Sequence, residues 1–120
     1  MKTIAISGGF DPVHIGHLQM IQAAQKYGNV IVIVNSDAWL IRKKGFAFMP
    51  FQERLAIMGS FKGVVNAVAV DDRDETVCDA LRNIKPDYFG NGGDRTDKNT
   101  PEQEVCEELG IAIIFNLGGK

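Results

Sequence analysis

Two histidines and several glycines lie together in residues 8–17, between a short apolar run and an alanine-rich segment. His14 and His17 are three residues apart, which places one imidazole in a loop and the other in the first turn of a helix. The N–H groups at a helix start are unpaired and carry roughly half a positive charge, which favours an anion. We therefore predict that both imidazoles face one bound phosphate.

The glycines of this segment are consistent with a phosphate-binding loop. Gly8 and Gly9 follow the apolar run directly and predict a tight turn after a strand. Gly16 lies between the histidines, where the absence of a Cβ would let a ligand approach the backbone closely. The pattern of strand, glycine-rich turn and helix start thus predicts a site for a phosphorylated ligand.

A metal site is the alternative chemistry for the same segment. Asp11, His14 and His17 offer three ligands at regular spacing, but zinc requires a closed tetrahedral set or an open site with supporting groups. The chain contains no other histidine, and its two cysteines lie far away in sequence, so we expect no metal bound by the protein alone. Mg²⁺ delivered with a nucleotide needs few protein ligands beyond phosphates and water.

Length, composition and net charge limit the classes of protein to which this chain can belong. A length of 120 residues with 45% hydrophobic content predicts one globular domain over residues 1–120. The net charge of −2 argues against broad nucleic-acid binding, which requires a basic face. No apolar run approaches a membrane span and no signal peptide opens the chain, so we expect a cytoplasmic protein without a membrane partner. Cys78 and Cys106 are expected to be small buried hydrophobes in a reducing compartment.

Five apolar or β-branched runs alternate with helix-forming segments along the chain. The predicted strands cover residues 3–7, 30–34, 64–70, 88–89 with their flanks, and 111–115. The predicted helices cover residues 18–27, 51–61 with Pro50 at the first helical position, 74–85, and 101–109. Residues 39–41 are expected to form a short helical turn, and the basic residues 42–45 to form a loop.

This alternation predicts a single doubly wound, Rossmann-like α/β sheet of five parallel strands flanked by helices, with right-handed crossovers. In such sheets, ligands bind beyond the carboxyl ends of the strands, where the strand order reverses. The segments that leave three of the predicted strands, residues 8–17, 35–37 and 91–95, would therefore meet at one rim.

Residues 9–17, Gly-Phe-Asp-Pro-Val-His-Ile-Gly-His, resemble the signature of the cytidylyltransferase-like nucleotidyltransferases. Segments 35–37, 44–45, 50–54 and 92–94 resemble the bacterial heptose-1-phosphate adenylyltransferase domain and, more loosely, glycerol-3-phosphate cytidylyltransferase. Class I aminoacyl-tRNA synthetases share the His-x-Gly-His motif, but this chain is too short for one and contains no Lys-Met-Ser-Lys-Ser segment.

The resemblance implies an enzyme that transfers AMP or CMP from ATP or CTP to a small phosphorylated substrate, a sugar phosphate or polyol phosphate, and releases pyrophosphate. It also implies Mg²⁺ delivered with the nucleotide, and a homodimer. The alternative is a catalytically weak or inactive nucleotide-binding module of the same fold.

The resemblance also implies roles for particular residues. His14 and His17 would bind the triphosphate and stabilise the charge that develops on it, and Lys44 would reach over the phosphates from a mobile loop. Arg54 would contact the substrate phosphate or the leaving group, and Asp11 would orient substrate or magnesium. The nucleotide-binding set would comprise Gly8, Gly9, Phe10, Asp11, Gly16, Asn91, Gly92, Asp94 and Arg95.

Structural alternatives exist for the two cations. Lys44 would be a solvated surface charge for which Lys43 could substitute, and Arg54 would form a surface ion pair with Glu53 or another neighbour. Family members also usually carry a Ser/Thr-rich segment that opens a last helix. Residues 117–120 stand where that segment would begin, so we expect either a truncated sequence or a protein that functions without it.

Overall fold

The computed structural model describes residues 2–92 and 101–117, which form a parallel sheet with helices on both faces. The strands are β1 (Thr3–Gly8), β2 (Asn29–Val34), β3 (Val64–Ala69), β4 (Tyr88–Gly92) and β5 (Ala112–Leu117). The helices are α1 (Ile15–Ala24), α2 (Asp37–Lys44), α3 (Phe51–Gly59), α4 (Cys78–Ile84) and α5 (Pro101–Leu109). The predicted Rossmann-like class is confirmed.

The strand order is β3-β2-β1-β4-β5, and every neighbouring pair is parallel. The chain builds the sheet outward from β1 through β2 to β3, then crosses to the other side of β1 for β4 and β5. The order therefore reverses between β1 and β4, and the carboxyl ends of these strands border the position where such sheets bind ligands.

Apolar side chains cover both faces of the sheet. On one face, α1 and α3 pack over a cluster that includes Ile4, Ile6, Ile21, Val32 and Met58. On the other face, α4 and α5 pack over a cluster that includes Ala5, Ile33, Leu81, Phe89 and Cys106. Burial on both faces explains why the β2 sequence is continuously apolar rather than alternating.

Residues 37–44 form helix α2, whereas the sequence predicted a short helical turn followed by a basic loop. It begins at Asp37, capped by the Ser36 hydroxyl, which accepts a hydrogen bond of 3.0 Å from the Trp39 N–H. It continues to Lys44 and ends at Gly45, whose φ of 92° is the left-handed conformation that glycine favours. The basic residues 42–44 thus form its last turn, where positive charge complements the helix dipole.

The other helices also differ from the prediction at their ends, and α1 spans Ile15–Ala24 rather than residues 18–27. Helix α4 begins at Cys78 rather than at Asp74, because the Asp74 carboxylate accepts hydrogen bonds from the Thr76 N–H and hydroxyl and holds a turn. Helix α3 ends at Gly59, and Pro50 caps it from outside rather than occupying its first position. These differences shift elements by a few residues and leave the topology as predicted.

Cys78 and Cys106 are buried free thiols, as expected. Burial is the main cause that raises the pKa of both, to about 11 for Cys106, so neither side chain is a ready nucleophile. Within the described ranges, no helix is long and apolar enough to cross a membrane.

Candidate active site

The two histidines cap α1 with their own side chains. His14 is the N-cap residue, and its Nδ1 accepts a hydrogen bond of 3.0 Å from the Gly16 N–H. The Nδ1 of His17, in the first turn, accepts a bond of 3.1 Å from the His14 N–H. A neutral imidazole has one donor and one acceptor nitrogen, so these bonds assign the proton of each neutral ring to Nε2. The pair is therefore equipped to donate two hydrogen bonds to an anion.

The rings of His14 and His17 are stacked, with centroids 3.9 Å apart and planes inclined by 24°. The ring of Phe10, which is buried, contacts His17 edge-on at 4.9 Å. Burial, followed by the proximity of His14, lowers the pKa of His17 from 6.5 to about 4. His17 is consequently a neutral Nε2–H donor at neutral pH.

Gly16 makes room for the His14 ring. A Cβ on Gly16 would lie 2.9 Å from Cε1 and 3.1 Å from Nδ1 of His14, closer than ordinary contacts allow. The sequence led us to expect that this glycine admits a ligand to the backbone. The structure shows that the absence of this Cβ also makes room for the capping imidazole.

The lowered pKa of His17 predicts a specific loss of stability in acid. In the unfolded chain the His17 ring has a pKa near 6.5, so it becomes protonated as the pH falls below that value. In the folded protein the same ring has a pKa of about 4 and stays neutral until the pH approaches 4. The unfolded state therefore holds more protons between these values, and stability falls as pH is lowered through this window. Urea unfolding at pH 7, 5.5 and 4.5 should show this fall in the wild type and a smaller one in His17→Asn, which keeps a cap acceptor without titrating.

The two proteins differ only at residue 17, so the difference between their profiles reports the effect of replacing this ring. Parallel stability profiles for the wild type and His17→Asn over the three pH values would contradict the assignment.

Asp11 and Lys44 bind each other. The Lys44 Nζ lies 2.8 Å from Asp11 Oδ2 and donates to the Asp11 carbonyl at 2.7 Å. The same carboxylate accepts hydrogen bonds from the N–H groups of Phe48 and Met49. Burial by itself would raise the pKa of Asp11, but Lys44 and the two N–H groups outweigh it and lower that pKa below 3.8. The expected mobile loop for Lys44 is wrong, because this residue ends α2 and its ammonium is held by Asp11.

The candidate metal ligands Asp11, His14 and His17 do not form a metal site. Asp11 uses both carboxylate oxygens within the protein, as described above. Over residues 2–92 and 101–117, no group of three or more His, Cys, Asp or Glu side chains is placed to hold a metal ion.

Arg54 is completely buried and joins the segments that leave β1 and β2. Its Nη1 donates to the carbonyls of Gly9 at 2.8 Å and Asn35 at 2.7 Å. Its Nε donates to the Met49 carbonyl at 2.9 Å, and its Nη2 lies 2.6 Å from Asp37 Oδ1. The structural alternative, a surface ion pair with Glu53 or another neighbour, is wrong about the surface, because Arg54 is buried and the carboxylate that it contacts is that of Asp37.

A second buried polar cluster at the rim was not predicted. Asp72, after β3, is 3% exposed and accepts hydrogen bonds from the Asn35 amide and from the N–H and hydroxyl of Ser36. Arg42 donates to the Asp72 carbonyl and pairs with Glu75. The signal in the sequence was an acidic residue within the segment that follows β3, since this segment and the Asn35-Ser36 segment after β2 leave neighbouring parallel strands at the same rim.

A cavity of about 600 Å³, here called the rim cavity, opens at the carboxyl ends of β1 and β2. It is lined by Ser7, Gly8, Asn35, Trp39, Lys43, Asp74, Glu75, Thr76, Val77, Pro101 and Glu102. Gly8 is the residue of the predicted site that lines it, and Lys43 rather than Lys44 supplies its cation. Lys43, Trp39 and Glu102 were not predicted as site residues.

The remaining predicted site residues are placed as follows. A Cβ on Gly9 would lie 2.8 Å from Leu40 Cδ2, so this glycine lets α2 pack closely on the loop. Asn91 and Gly92 end β4, next to β1 in the sheet. Asp94 and Arg95 lie outside the described residues.

A family model and known proteins both match most of this chain. Residues 5–114 match the family model described as cytidylyltransferase-like. The bifunctional protein HldE of Streptomyces coelicolor is 36% identical over 115 residues, which cover 93% of this chain and 24% of that protein. The FAD synthase of Ferroglobus placidus is 28% identical over 109 residues, which cover 91% of this chain and 68% of the synthase. The chain thus spans about a quarter of the length of the HldE relative.

Two solved structures share the fold. The lipopolysaccharide core biosynthesis protein from Thermoplasma volcanium superposes with a TM-score of 0.81 at 23% identity, over 97% of this chain and 94% of that one. A protein of unknown function from Archaeoglobus fulgidus superposes with a TM-score of 0.68 at 22% identity, over 99% of this chain and 91% of that one.

Proposed function

The chain belongs to the cytidylyltransferase-like family, and from this membership we propose that it transfers AMP or CMP from ATP or CTP to a small phosphorylated acceptor. In this reaction an oxygen of the acceptor's phosphate attacks the α-phosphorus of the triphosphate. The bond from the α-phosphorus to its bridging oxygen breaks, and pyrophosphate leaves. A sugar phosphate or polyol phosphate is the acceptor class that we propose.

The observation that carries this proposal is the pair of Nε2–H donors at the start of α1. Phosphoryl transfer needs alignment and charge neutralisation more than covalent help from the protein. Because the Nδ1 atoms of His14 and His17 are engaged by backbone N–H groups, the Nε2–H groups are fixed in orientation before substrate binds. Donors fixed in this way stabilise charge that develops on the α-phosphoryl oxygens without further reorganisation.

We propose that Mg²⁺ enters this site together with the nucleotide. The Asp11 carboxylate is committed to Lys44 and to two backbone N–H groups. In our proposal phosphate oxygens and water would therefore complete the coordination of Mg²⁺, which neutralises charge on the triphosphate.

A nucleotide-binding module without turnover is the second candidate. One observation favours it: both cations that the family resemblance assigned to catalysis are engaged inside the protein, Lys44 by Asp11 and Arg54 by three carbonyls and Asp37. Turnover on the first proposal requires that Lys44 exchange Asp11 for a substrate phosphate, or that another cation serve.

Two measurements test the proposal. Thermal unfolding with ATP, CTP, GTP and UTP, each with and without Mg²⁺, should show selective stabilisation by ATP or CTP. Pyrophosphate release should then be assayed with sugar phosphates, polyol phosphates and, because one relative is named FAD synthase, flavin mononucleotide. Release that depends on one acceptor supports the transferase, whereas selective binding without release supports the module. Absence of stabilisation by any triphosphate would overturn both.

A further inference from the structure

Phe10 has a backbone conformation that bulky residues rarely adopt. Its φ of 54° lies in the left-handed region, which is sterically costly for a residue with a Cβ. Conformations of this kind persist only where the surrounding structure holds them, and they cluster at functional sites. Phe10 lies two residues after Gly8, which ends β1, and four residues before His14. The position of this outlier therefore points to the histidine pair.

The Phe10 side chain is packed inside the protein. It is 3% exposed and belongs to the apolar cluster beneath α1 and α3, together with Ile6 and Ile21. A Cβ on Gly8 would lie 3.1 to 3.4 Å from three atoms of the Phe10 ring, so the missing side chain of Gly8 makes room for this ring. Because the ring is buried, it can act on a bound ligand only through a residue that it touches.

The residue of the candidate site that the Phe10 ring touches is His17. The two ring centroids are 4.9 Å apart and the planes are inclined by 75°, an edge-to-face arrangement that aromatic pairs prefer. His14 stacks on the same imidazole, and the His14 N–H donates to its Nδ1. The orientation of the His17 imidazole is thus fixed by two ring contacts and one hydrogen bond.

Resting on the proposed nucleotidyl transfer, we infer that Phe10 is a positioning residue whose buried ring holds the His17 imidazole with its Nε2–H directed at the reacting phosphate. Gly8 takes part because it leaves the space that the ring occupies. Phe10 itself does not touch the substrate, and its contribution passes through His17. An aliphatic side chain in the same place would keep the core filled but would lose the aromatic contact that orients the imidazole.

The pKa of His17 reports this contact without any substrate. Burial is the main cause that lowers this pKa to about 4, and the Phe10 ring is part of what buries the imidazole. The second cause is His14, and no other charged group in the described ranges shifts this pKa. Removal of the Phe10 ring, with His14 left in place, should therefore raise the pKa of His17 toward 6.5.

Phe10→Leu tests this inference, with Phe89→Leu as the control. Phe89 is 2% exposed and lies in the cluster beneath α4 and α5, on the other face of the sheet. Nuclear magnetic resonance of the imidazole nitrogens at pH 5 should show a mostly neutral His17 ring in the wild type and in Phe89→Leu. In Phe10→Leu about half or more of this ring should be protonated, because its pKa rises by at least about one unit.

The same variants should differ in turnover, measured as pyrophosphate release from ATP or CTP with the acceptor that supports it. In Phe10→Leu, kcat should fall at least about tenfold, because a misdirected donor stabilises the transition state less well. The Kd of the triphosphate, measured by calorimetry, should rise less than about threefold, since the contact strengthens as charge develops. In Phe89→Leu, kcat should stay within about twofold of wild type, because this residue lies outside the proposed contact.

Gly8→Ala displaces the same ring without altering either residue of the contact. The added Cβ requires the Phe10 ring to move by a few tenths of an ångström, so smaller changes in the same direction are expected. This variant decides the question if Phe10→Leu does not fold. An unchanged His17 titration in folded Gly8→Ala then overturns the inference.

The outcomes separate this inference from the proposed function. An unchanged His17 titration or an unchanged kcat in folded Phe10→Leu overturns the positioning role and leaves nucleotidyl transfer intact. Equal falls of kcat in Phe10→Leu and Phe89→Leu also overturn it, because loss of core packing would then explain both. Absence of pyrophosphate release from the wild type with every acceptor overturns the transferase, whereas a raised pKa of His17 in Phe10→Leu still supports the role of Phe10 in holding this imidazole.

Discussion

Replacing His14 by asparagine should leave the protein folded and reduce turnover by at least about a hundredfold. Asparagine is among the preferred N-cap residues, and its side-chain oxygen can accept the hydrogen bond that His14 Nδ1 accepts from the Gly16 N–H. It offers no donor where the imidazole Nε2–H lies. The substitution therefore removes the proposed phosphate contact and keeps the helix start.

Two variants of His17 separate the capping role of this residue from its proposed contact with phosphate. The shorter asparagine side chain of His17→Asn would keep an acceptor near the position of Nδ1, which bonds to the His14 N–H. The longer glutamine side chain of His17→Gln would place an amide N–H near the position of Nε2. Thermal stability should thus be preserved better in His17→Asn than in His17→Gln, and turnover better in His17→Gln than in His17→Asn. A purely structural role predicts that stability and turnover change in the same order.

Turnover should be measured as pyrophosphate release with the acceptor identified by the screen, and triphosphate affinity by calorimetry. Both histidine contacts are proposed to strengthen as charge develops, so kcat should fall more than triphosphate affinity. A His14→Asn enzyme with wild-type pyrophosphate release would show that its Nε2–H does not stabilise the reacting phosphate.

The topology and the position of the histidine pair were predictable because both depend on local patterns. The β-branched run of β2 and the alternation of strands with helices predict a parallel sheet with two covered faces. A strand, two glycines and a helix start within residues 3–24 place His14 and His17 at the carboxyl end of β1 without any tertiary information.

The partners of the charged residues were not predictable in the same way. Lys44 meets Asp11 across 33 residues of sequence, and the pair forms only because α2 packs over the loop after β1. The capping signals of α2, Ser36 and Gly45, were visible in the sequence, but the basic residues between them were interpreted as a solvated loop.

The residues that line the rim cavity could not be predicted from the sequence either. Its wall combines Lys43 from α2, Glu75 from the segment after β3, and Glu102 from the start of α5. None of these residues belongs to a short motif, so no spacing in the sequence indicates that they face one another. Whether Lys43 or Lys44 lines the cavity also depends on which face of α2 contacts the Asp11 carboxylate.

Replacing Arg54 by methionine should destabilise the fold by about 3–5 kcal/mol, the usual cost of removing one partner from a buried charged network. The guanidinium is 0% exposed and donates to the carbonyls of Gly9, Asn35 and Met49, which would all lose these donors. Since small domains have a total stability of about 5–15 kcal/mol, the variant should lose a large part of it. Urea unfolding measures the loss directly, and the melting temperature should fall by roughly 10–20 °C.

Asp37→Asn is the matched control, because it removes the charge of the one carboxylate that Arg54 contacts within the described ranges. The Asp37 side chain is 44% exposed, so its ion pair should contribute about 1 kcal/mol or less. A large loss in Arg54→Met with a small one in Asp37→Asn would show that hydrogen bonds to the exit loops of β1 and β2, rather than the ion pair, hold the rim together. Equal losses in the two variants would assign the stability to the ion pair. A loss in Arg54→Met below about 1 kcal/mol would contradict this role, because three carbonyls at the rim would then lose their donor at almost no cost.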